Sequence, residues 1–299
     1  LSDLVDKYFK KHAAIRSRLE FMVTDKLSVF GHEEMEKSNI LKTTREKDEY
    51  FNKFYLSEEM QNAGPYARLK FAMDYWCALW FWPIEKSDLL PCRKDFLFEM
   101  SLILDGTMAN ISANQEGELF GDENTEKLKE LLGDMGNVDL KFLCEKFERL
   151  RLVRDIASKY RFLHWELEFA DIFESKGGFD LMLGNPPWLK LEWKEQGILS
   201  DIDPKFIIKD FSATETGKLR KEVITIGNNL SLYLSEFEES SATQGFLNAT
   251  QNYKHLKGAQ SNLYKCFLPQ AWTFSNENGV FGFVHPEGVY DDPNGGKLR

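Results

Sequence analysis

The chain has 299 residues, a formal net charge of −10, and 42% hydrophobic and 29% charged residues. This composition is typical of a soluble globular protein rather than a membrane-spanning one. The most hydrophobic stretch, residues 71–83, contains Asp74 and is too short to cross a bilayer. Because the first residues are charged and do not form a secretory signal, we expect a cytoplasmic protein without membrane contact.

Cysteine spacing and charge limit the function further. The four cysteines are scattered without a C-x-x-C pair, which argues against a zinc site or a disulfide framework, and no metal site is expected. The acidic charge is unusual for a protein that binds a polyanion, because phosphate contacts normally need a basic surface. If this protein binds nucleic acid, we expect the regions that contact the phosphate backbone to lie outside this chain.

Residues 1–160 are predicted to be mostly helical. Leu4, Phe9 and Ala13 mark the apolar side of a helix over residues 1–26, and His12 is predicted to be solvated. Strong helical spacing also covers residues 138–161. Further helices are predicted over residues 49–54, 57–62, 68–81, 93–110 and 125–132, with polar loops over 27–48 and 115–124. We interpret this part as a helical region within or before a catalytic core.

The hydrophobic period changes after residue 160. Apolar residues alternate over 163–169, which predicts a strand, and the short apolar run at 179–183 predicts a buried parallel strand. A helix over 262–274, a turn at Asn278-Gly279 and a strand over 280–284 would form the next unit of such a sheet. We therefore predict that residues 161–299 are part of a doubly wound, Rossmann-like α/β domain.

The predicted strand at 179–183 leads into Gly184 and then Asn185-Pro186-Pro187-Trp188. In an open α/β sheet, ligands bind beyond the carboxyl ends of the strands. The Asn185 amide oxygen can accept a hydrogen bond from an exocyclic amine, and two successive prolines aim the Pro186 carbonyl rigidly. Trp188 offers a face for stacking. This set suits a planar ring with an amino group, such as adenine.

These residues resemble the catalytic motif of N6-adenine DNA methyltransferases. The wider runs at residues 164–169, 178–188, 258–264 and 285–290 resemble the large Eco57I-type restriction-modification methylases. The resemblance implies methyl transfer from S-adenosylmethionine to a flipped adenine in double-stranded DNA, within a restriction-modification or phage-defence enzyme. It assigns catalysis to Asn185, Pro186, Pro187 and Trp188. It also implies, through an acidic residue at the end of the preceding strand, that Asp171 lines the cofactor or target pocket; the alternative for Asp171 is a structural cap.

Residues 192–218 follow the motif and are predicted to form a loop and helix that cover the pocket. Glu192, Asp201 and Asp203 are interpreted as solvated loop residues rather than paired catalytic carboxylates. The best local basic cluster, which could contact phosphate, comprises Lys218, Arg220 and Lys221.

No G-x-G sequence occurs in the chain, so the usual cofactor loop is not recognisable. The chain also begins with Leu1 rather than Met, and we expect an internal fragment that is inactive alone. The remainder of the same polypeptide would supply the cofactor loop and the target-recognition region. Two alternatives remain open: a methyltransferase that acts on RNA or a protein amide through the same motif, and a non-catalytic helical module that binds DNA or another partner.

Overall fold

A computed structural model describes residues 1–23, 43–54, 56–105, 140–209, 211–258, 262–293, 296 and 298. They belong to two compact units. The first comprises Leu1–Ala78 and Leu89–Phe179, and the second comprises Leu79–Asp88 and Asp180–Arg299. The protein is mixed α/β, mostly helical, with a small two-stranded parallel sheet. The predicted loop at 115–124 and helix at 125–132, and most of the polar region at 27–48, lie outside the described residues.

The first unit is helical. Its described helices are α1 (Ser2–Val23), α2 (Thr44–Phe54), α3 (Glu58–Asn62), α4 (Pro65–Ala78), α5 (Arg93–Asp105), α6 (Leu140–Lys146), α7 (Glu148–Tyr160), α8 (Trp165–Glu168) and α9 (Ala170–Lys176). Helix α4 packs against α1, α5 and α7. Helix α7 is amphipathic, since Leu150, Val153 and Ile156 recur at helical spacing and are buried on one face.

The predicted helix over 138–161 is two helices, because Phe147 takes an extended conformation between α6 and α7 (φ −109°, ψ 111°). The predicted strand over 163–169 is wrong, since residues 165–168 form α8. Trp165 and Phe169 are four positions apart and stack with their ring centroids 5.7 Å apart. Residues four positions apart share one face of a helix as well as one face of a strand. The apolar spacing is therefore compatible with both conformations, and the structure shows the helix.

Two polar residues of the first unit also differ from expectation. His12 is fully buried rather than solvated, and its Nε2 donates to the Leu167 carbonyl oxygen at 2.9 Å. Asp171 follows no strand, because it lies in the first turn of α9. Its carboxylate is 3.8 Å from the Arg16 guanidinium.

The second unit holds the sheet. Strand β1 (Phe179–Gly184) pairs with β2 (Ser275–Phe283). Its helices are α10 (Glu195–Ile202), α11 (Lys205–Ile208), α12 (Ala213–Ile224), α13 (Asn229–Asn248), α14 (Leu263–Phe274) and α15 (Gly288–Asp291), with 3-10 turns at Ile84–Leu89 and Lys254–Leu256. Helix α12 begins with a capping box, in which the side chains of Ser212 and Glu215 each bond the other's backbone N–H.

The strand predicted over 179–183 and the helix predicted over 262–274 are confirmed, and the strand predicted over 280–284 is present but begins at Ser275. Two further details are wrong. Asn278-Gly279 is not a turn, because β2 runs through it. Strand β1 is not buried, since Leu183 is 72% exposed and Leu181 is also exposed. Within the described residues β1 pairs with β2 alone, so these side chains lack the cover that a central parallel strand has on both faces.

No helix among the described residues combines the length and apolarity needed to cross a membrane.

Candidate active site

The two strands end together, and this register places the candidate site. Near their starts, the Asn276 amide donates to the Asp180 carboxylate at 2.7 Å. At their ends, the Val284 N–H donates to the Gly184 carbonyl at 3.0 Å. The chain therefore leaves β1 toward residue 185 at the same sheet edge where it leaves β2 toward residue 285. This is the edge at which α/β sheets bind ligands.

The motif that follows β1 is anchored on both sides. The Trp188 indole Nε1 donates to the Val284 carbonyl oxygen at 3.2 Å. One residue later, the Leu189 carbonyl accepts from the Leu263 N–H at 3.0 Å, at the start of α14. Together with the Gly184 bond, these contacts hold residues 184–189 against the end of β2 and the beginning of α14.

Within this anchored segment the Asn185 amide is exposed, and none of the described residues forms a hydrogen bond with it. Pro186 is buried, whereas Pro187 is exposed. Trp188 is 56% exposed although its indole N–H is bonded, so its ring presents a face to solvent. An amide oxygen that can accept a hydrogen bond therefore lies in an anchored segment that also carries an open aromatic face.

A second aromatic group lies at the end of β2. The His285 ring stacks on Tyr264 with centroids 5.5 Å apart and planes within 10°. The exposed Tyr290 ring also lies near His285, with the two centroids 6.1 Å apart and the planes tilted by 33°. Burial raises the pKa of the Tyr264 hydroxyl, and the Asp292 carboxylate adds to the rise. The phenol of Tyr264 thus stays neutral at physiological pH.

Charged side chains after the motif mostly bond one another. Arg220 donates to Glu195 at 2.5 Å, and Tyr233 donates to the same carboxylate oxygen at 2.6 Å. Burial pushes the pKa of Glu195 upward, but these two hydrogen bonds outweigh it and lower the pKa. Arg220 is therefore committed to an internal pair. Of the predicted basic cluster, Lys218 and Lys221 remain exposed.

The loop carboxylates do not form a catalytic pair. Glu192 is bonded to Lys190, and Asp203 lies 3.3 Å from Lys205. Among the described residues, no cluster of three or more His, Cys, Asp or Glu side chains is arranged to hold a metal ion.

The four predicted catalytic residues lie together, since they are contiguous. Asp171 belongs to the first unit, whereas the motif belongs to the second. Sequence reasoning assigned no role to the Val284 carbonyl that anchors Trp188, or to the Tyr264–His285 stack. The useful signal was the position of His285, which lies two residues after the end of β2, as Asn185 lies one residue after the end of β1.

Comparison with known proteins adds a family assignment. A family model described as Eco57I restriction-modification methylase matches residues 26–221. No curated protein and no solved structure gives a significant match to the chain. The matched range contains the whole Asn185–Trp188 segment and most of the first unit.

Proposed function

We propose that this chain, which belongs to the Eco57I restriction-modification methylase family, methylates the N6 amine of adenine in DNA. The observation that carries the proposal is the anchored segment after β1. It presents an unbonded Asn185 amide next to an open Trp188 face.

The chemistry follows from what this segment can hold. A flipped adenine that stacks on Trp188 would place its N6 amine toward the Asn185 oxygen and the Pro186 carbonyl. When each of these two oxygens accepts a hydrogen bond from one N–H group of the amine, the two hydrogens are drawn out of the ring plane. The nitrogen lone pair then no longer delocalises into the ring, and the amine becomes a nucleophile. The transfer needs no strong base, since the alkylated nitrogen loses its proton readily.

Methylases of this family generally use S-adenosylmethionine, which supplies an electrophilic methyl group on its sulfonium. Among the described residues, neither β1 nor β2 is followed by a glycine-rich loop of the kind that holds it. Asp171, the one predicted contact, faces Arg16 from the first turn of α9. We propose that the donor-binding loop and the target-recognition region are contributed by the remainder of the same polypeptide. Double-stranded DNA is the proposed partner, and the cytoplasm the proposed location.

We also propose that β1 and β2 are part of a larger, doubly wound sheet. Leu181 and Leu183 on β1, and Val280 and Val284 on or next to β2, are all exposed. Parallel strands are almost always covered on both faces. Additional strands and helices would bury these four aliphatic side chains.

The test is a methylation assay with the complete polypeptide and plasmid DNA, followed by mass spectrometry of the released nucleosides. We expect N6-methyladenine from the wild type and at least a hundredfold less from Asn185→Ala, a loss of about 2.7 kcal/mol or more of transition-state stabilisation. Asn228→Ala, an exposed asparagine that forms no cap bond, is the matched control and should retain full activity.

Each other result has a distinct meaning. If the product is N4-methylcytosine, the protein is still a DNA methylase, but adenine is not its target base. An active Asn185→Ala enzyme would reject the catalytic role of the motif. Binding of S-adenosylmethionine to the isolated 299-residue chain, measured by calorimetry, would reject the assignment of the donor site to other parts of the polypeptide.

A further inference from the structure

The first unit contains a cavity that the methyl-transfer site does not use. Its volume is about 720 Å³, and residues of α1, α4, α5, α8 and α9 line it. Clefts of this size between helices are typical of sites that bind small organic molecules. The lining is mainly apolar and includes Phe9, Trp76 and Phe96.

The aromatic part of the lining offers ring faces. Trp76 is 46% exposed, so much of its indole remains open. The Phe96 ring lies 6.5 Å from it, tilted by 60°, and the two rings form a corner rather than a closed stack. The face of an indole carries negative electrostatic potential and attracts cations within about 6 Å.

The charged part of the lining is acidic. Asp6 and Glu166 line the cavity and are exposed, and the described structure gives neither an ion-pair partner. Neither lysine nor arginine occurs among the lining residues that the structure describes. A bound anion would therefore meet two carboxylates without compensation, whereas a bound cation would be attracted by both.

The buried polar residue of the lining is His164. Its Nε2 is 2.8 Å from the Asp74 carboxylate. Because a carboxylate only accepts, Nε2 carries a proton and donates it to Asp74, which fixes the ring at the cavity wall. The cavity thus combines exposed carboxylates with open aromatic faces.

We propose that this cavity binds an organic cation with an apolar body, such as an aryl or alkyl ammonium compound. Aromatic faces with nearby carboxylates are the usual means of recognising such cations. The site lies wholly in the first unit, and the proposal does not depend on methyl transfer.

The test uses calorimetry on the complete chain with three probes of one shape: benzyltrimethylammonium, its neutral carbon analogue neopentylbenzene, and the anion phenylmethanesulfonate. We expect the cation to bind with one site per chain, at least tenfold tighter than the neutral probe. The anion should not bind measurably.

Two variants locate the site. Trp76→Leu should weaken cation binding about tenfold, the value of one cation–π contact with tryptophan. Asp6→Asn combined with Glu166→Gln should weaken it about tenfold, roughly threefold for each exposed carboxylate. The matched controls, Trp272→Leu in the second unit and Asp3→Asn with Glu174→Gln outside the cavity, should bind as the wild type does. Circular dichroism checks that each variant is folded.

Three results would overturn the proposal. They are the absence of cation binding, equal binding of the cationic and neutral probes, and cation binding that both cavity variants leave unchanged. In the last case the cation would bind elsewhere on the protein.

Discussion

Arg149→Met would remove the cation that neutralises a buried carboxylate in the first unit. Glu99 lies on α5 with its side chain only 7% exposed, and its Oε1 accepts from Arg149 of α7 at 2.6 Å. The other oxygen accepts from the Tyr75 hydroxyl at 2.5 Å. Arg149 also donates to the Leu89 carbonyl at 2.6 Å. This network joins α4, α5 and α7.

The expected loss follows from that burial. Breaking a buried ion pair by removing one partner typically costs about 3–5 kcal/mol, because the other charge stays buried and uncompensated. We expect about 3 kcal/mol here, near the lower end, since Tyr75 still donates to Glu99 in the variant. A loss of this size is a large part of a typical domain stability of about 5–15 kcal/mol, yet it should leave the unit folded.

The pH dependence gives a second signature. Burial already raises the pKa of Glu99, even against its hydrogen bonds from Tyr75 and Arg149. Loss of Arg149 should raise the pKa of Glu99 still further above its value in the unfolded chain. A group with a raised native pKa takes up its proton first in the native state, so acidification stabilises the variant relative to the wild type. The deficit should therefore be smaller at pH 5 than at pH 8.

Urea unfolding measures the loss, with hydrogen exchange of α5 and α7 peptides assigning the transition to the first unit. Arg154→Met is the matched control, because Arg154 lies on the same helix, is 49% exposed and is 3.9 Å from Asp155. It should lose less than about 1 kcal/mol. Adding Glu99→Gln to Arg149→Met should recover part of the loss. If Arg149→Met costs no more than Arg154→Met, or if its deficit grows on acidification, then Arg149 does not stabilise the unit by neutralising the buried Glu99 carboxylate.

Three shorter tests address other sites. Trp188→Phe keeps a stacking ring but loses the bond to Val284, about 1 kcal/mol. Methylation by the complete polypeptide should fall less than it does in Asn185→Ala, and an equal fall would give the indole N–H an essential role. Burial lowers the pKa of His12 below 6.5, so the unfolded chain takes up the proton first and stability should fall below about pH 6.5, by up to about 1.4 kcal/mol per pH unit. His12→Gln should flatten that slope in urea titrations, and an unchanged slope would assign it to other groups. Cys92 is exposed, whereas two other thiols are buried with pKa values raised to about 11. A thiol reagent should therefore label Cys92 fastest, and Cys92→Ser should remove that fast phase; its persistence would contradict the burial.

Local sequence patterns predicted secondary structure correctly where the residues of one element determine its own conformation. The helices Arg93–Asp105 and Leu263–Phe274 agree with their periodicity. The strand before the motif agrees as well. In these segments, spacing and chain-breaking residues decide the backbone before any distant contact forms.

The same patterns failed where distant neighbours decide. Trp165 and Phe169 are compatible with a strand or a helix, and in the helical arrangement both rings pack edge-to-face against Phe179, with centroids 6.0 and 5.2 Å from it. His12 reads as a surface residue within a charged helix, but it is buried because the Leu167 carbonyl lies against it. Neither contact is visible in a window of sequence.

The candidate site likewise has some features that local sequence predicts and others that depend on distant contacts. That Asn185, two prolines and Trp188 follow a strand can be predicted from the sequence, since an apolar run followed by successive prolines leaves the chain few other conformations. The bond from the Trp188 indole to the Val284 carbonyl, and the unbonded Asn185 amide, become visible in the folded structure. A hydrogen bond across 96 residues depends on the register of β1 against β2, and pairing between distant strands is not encoded in either strand alone.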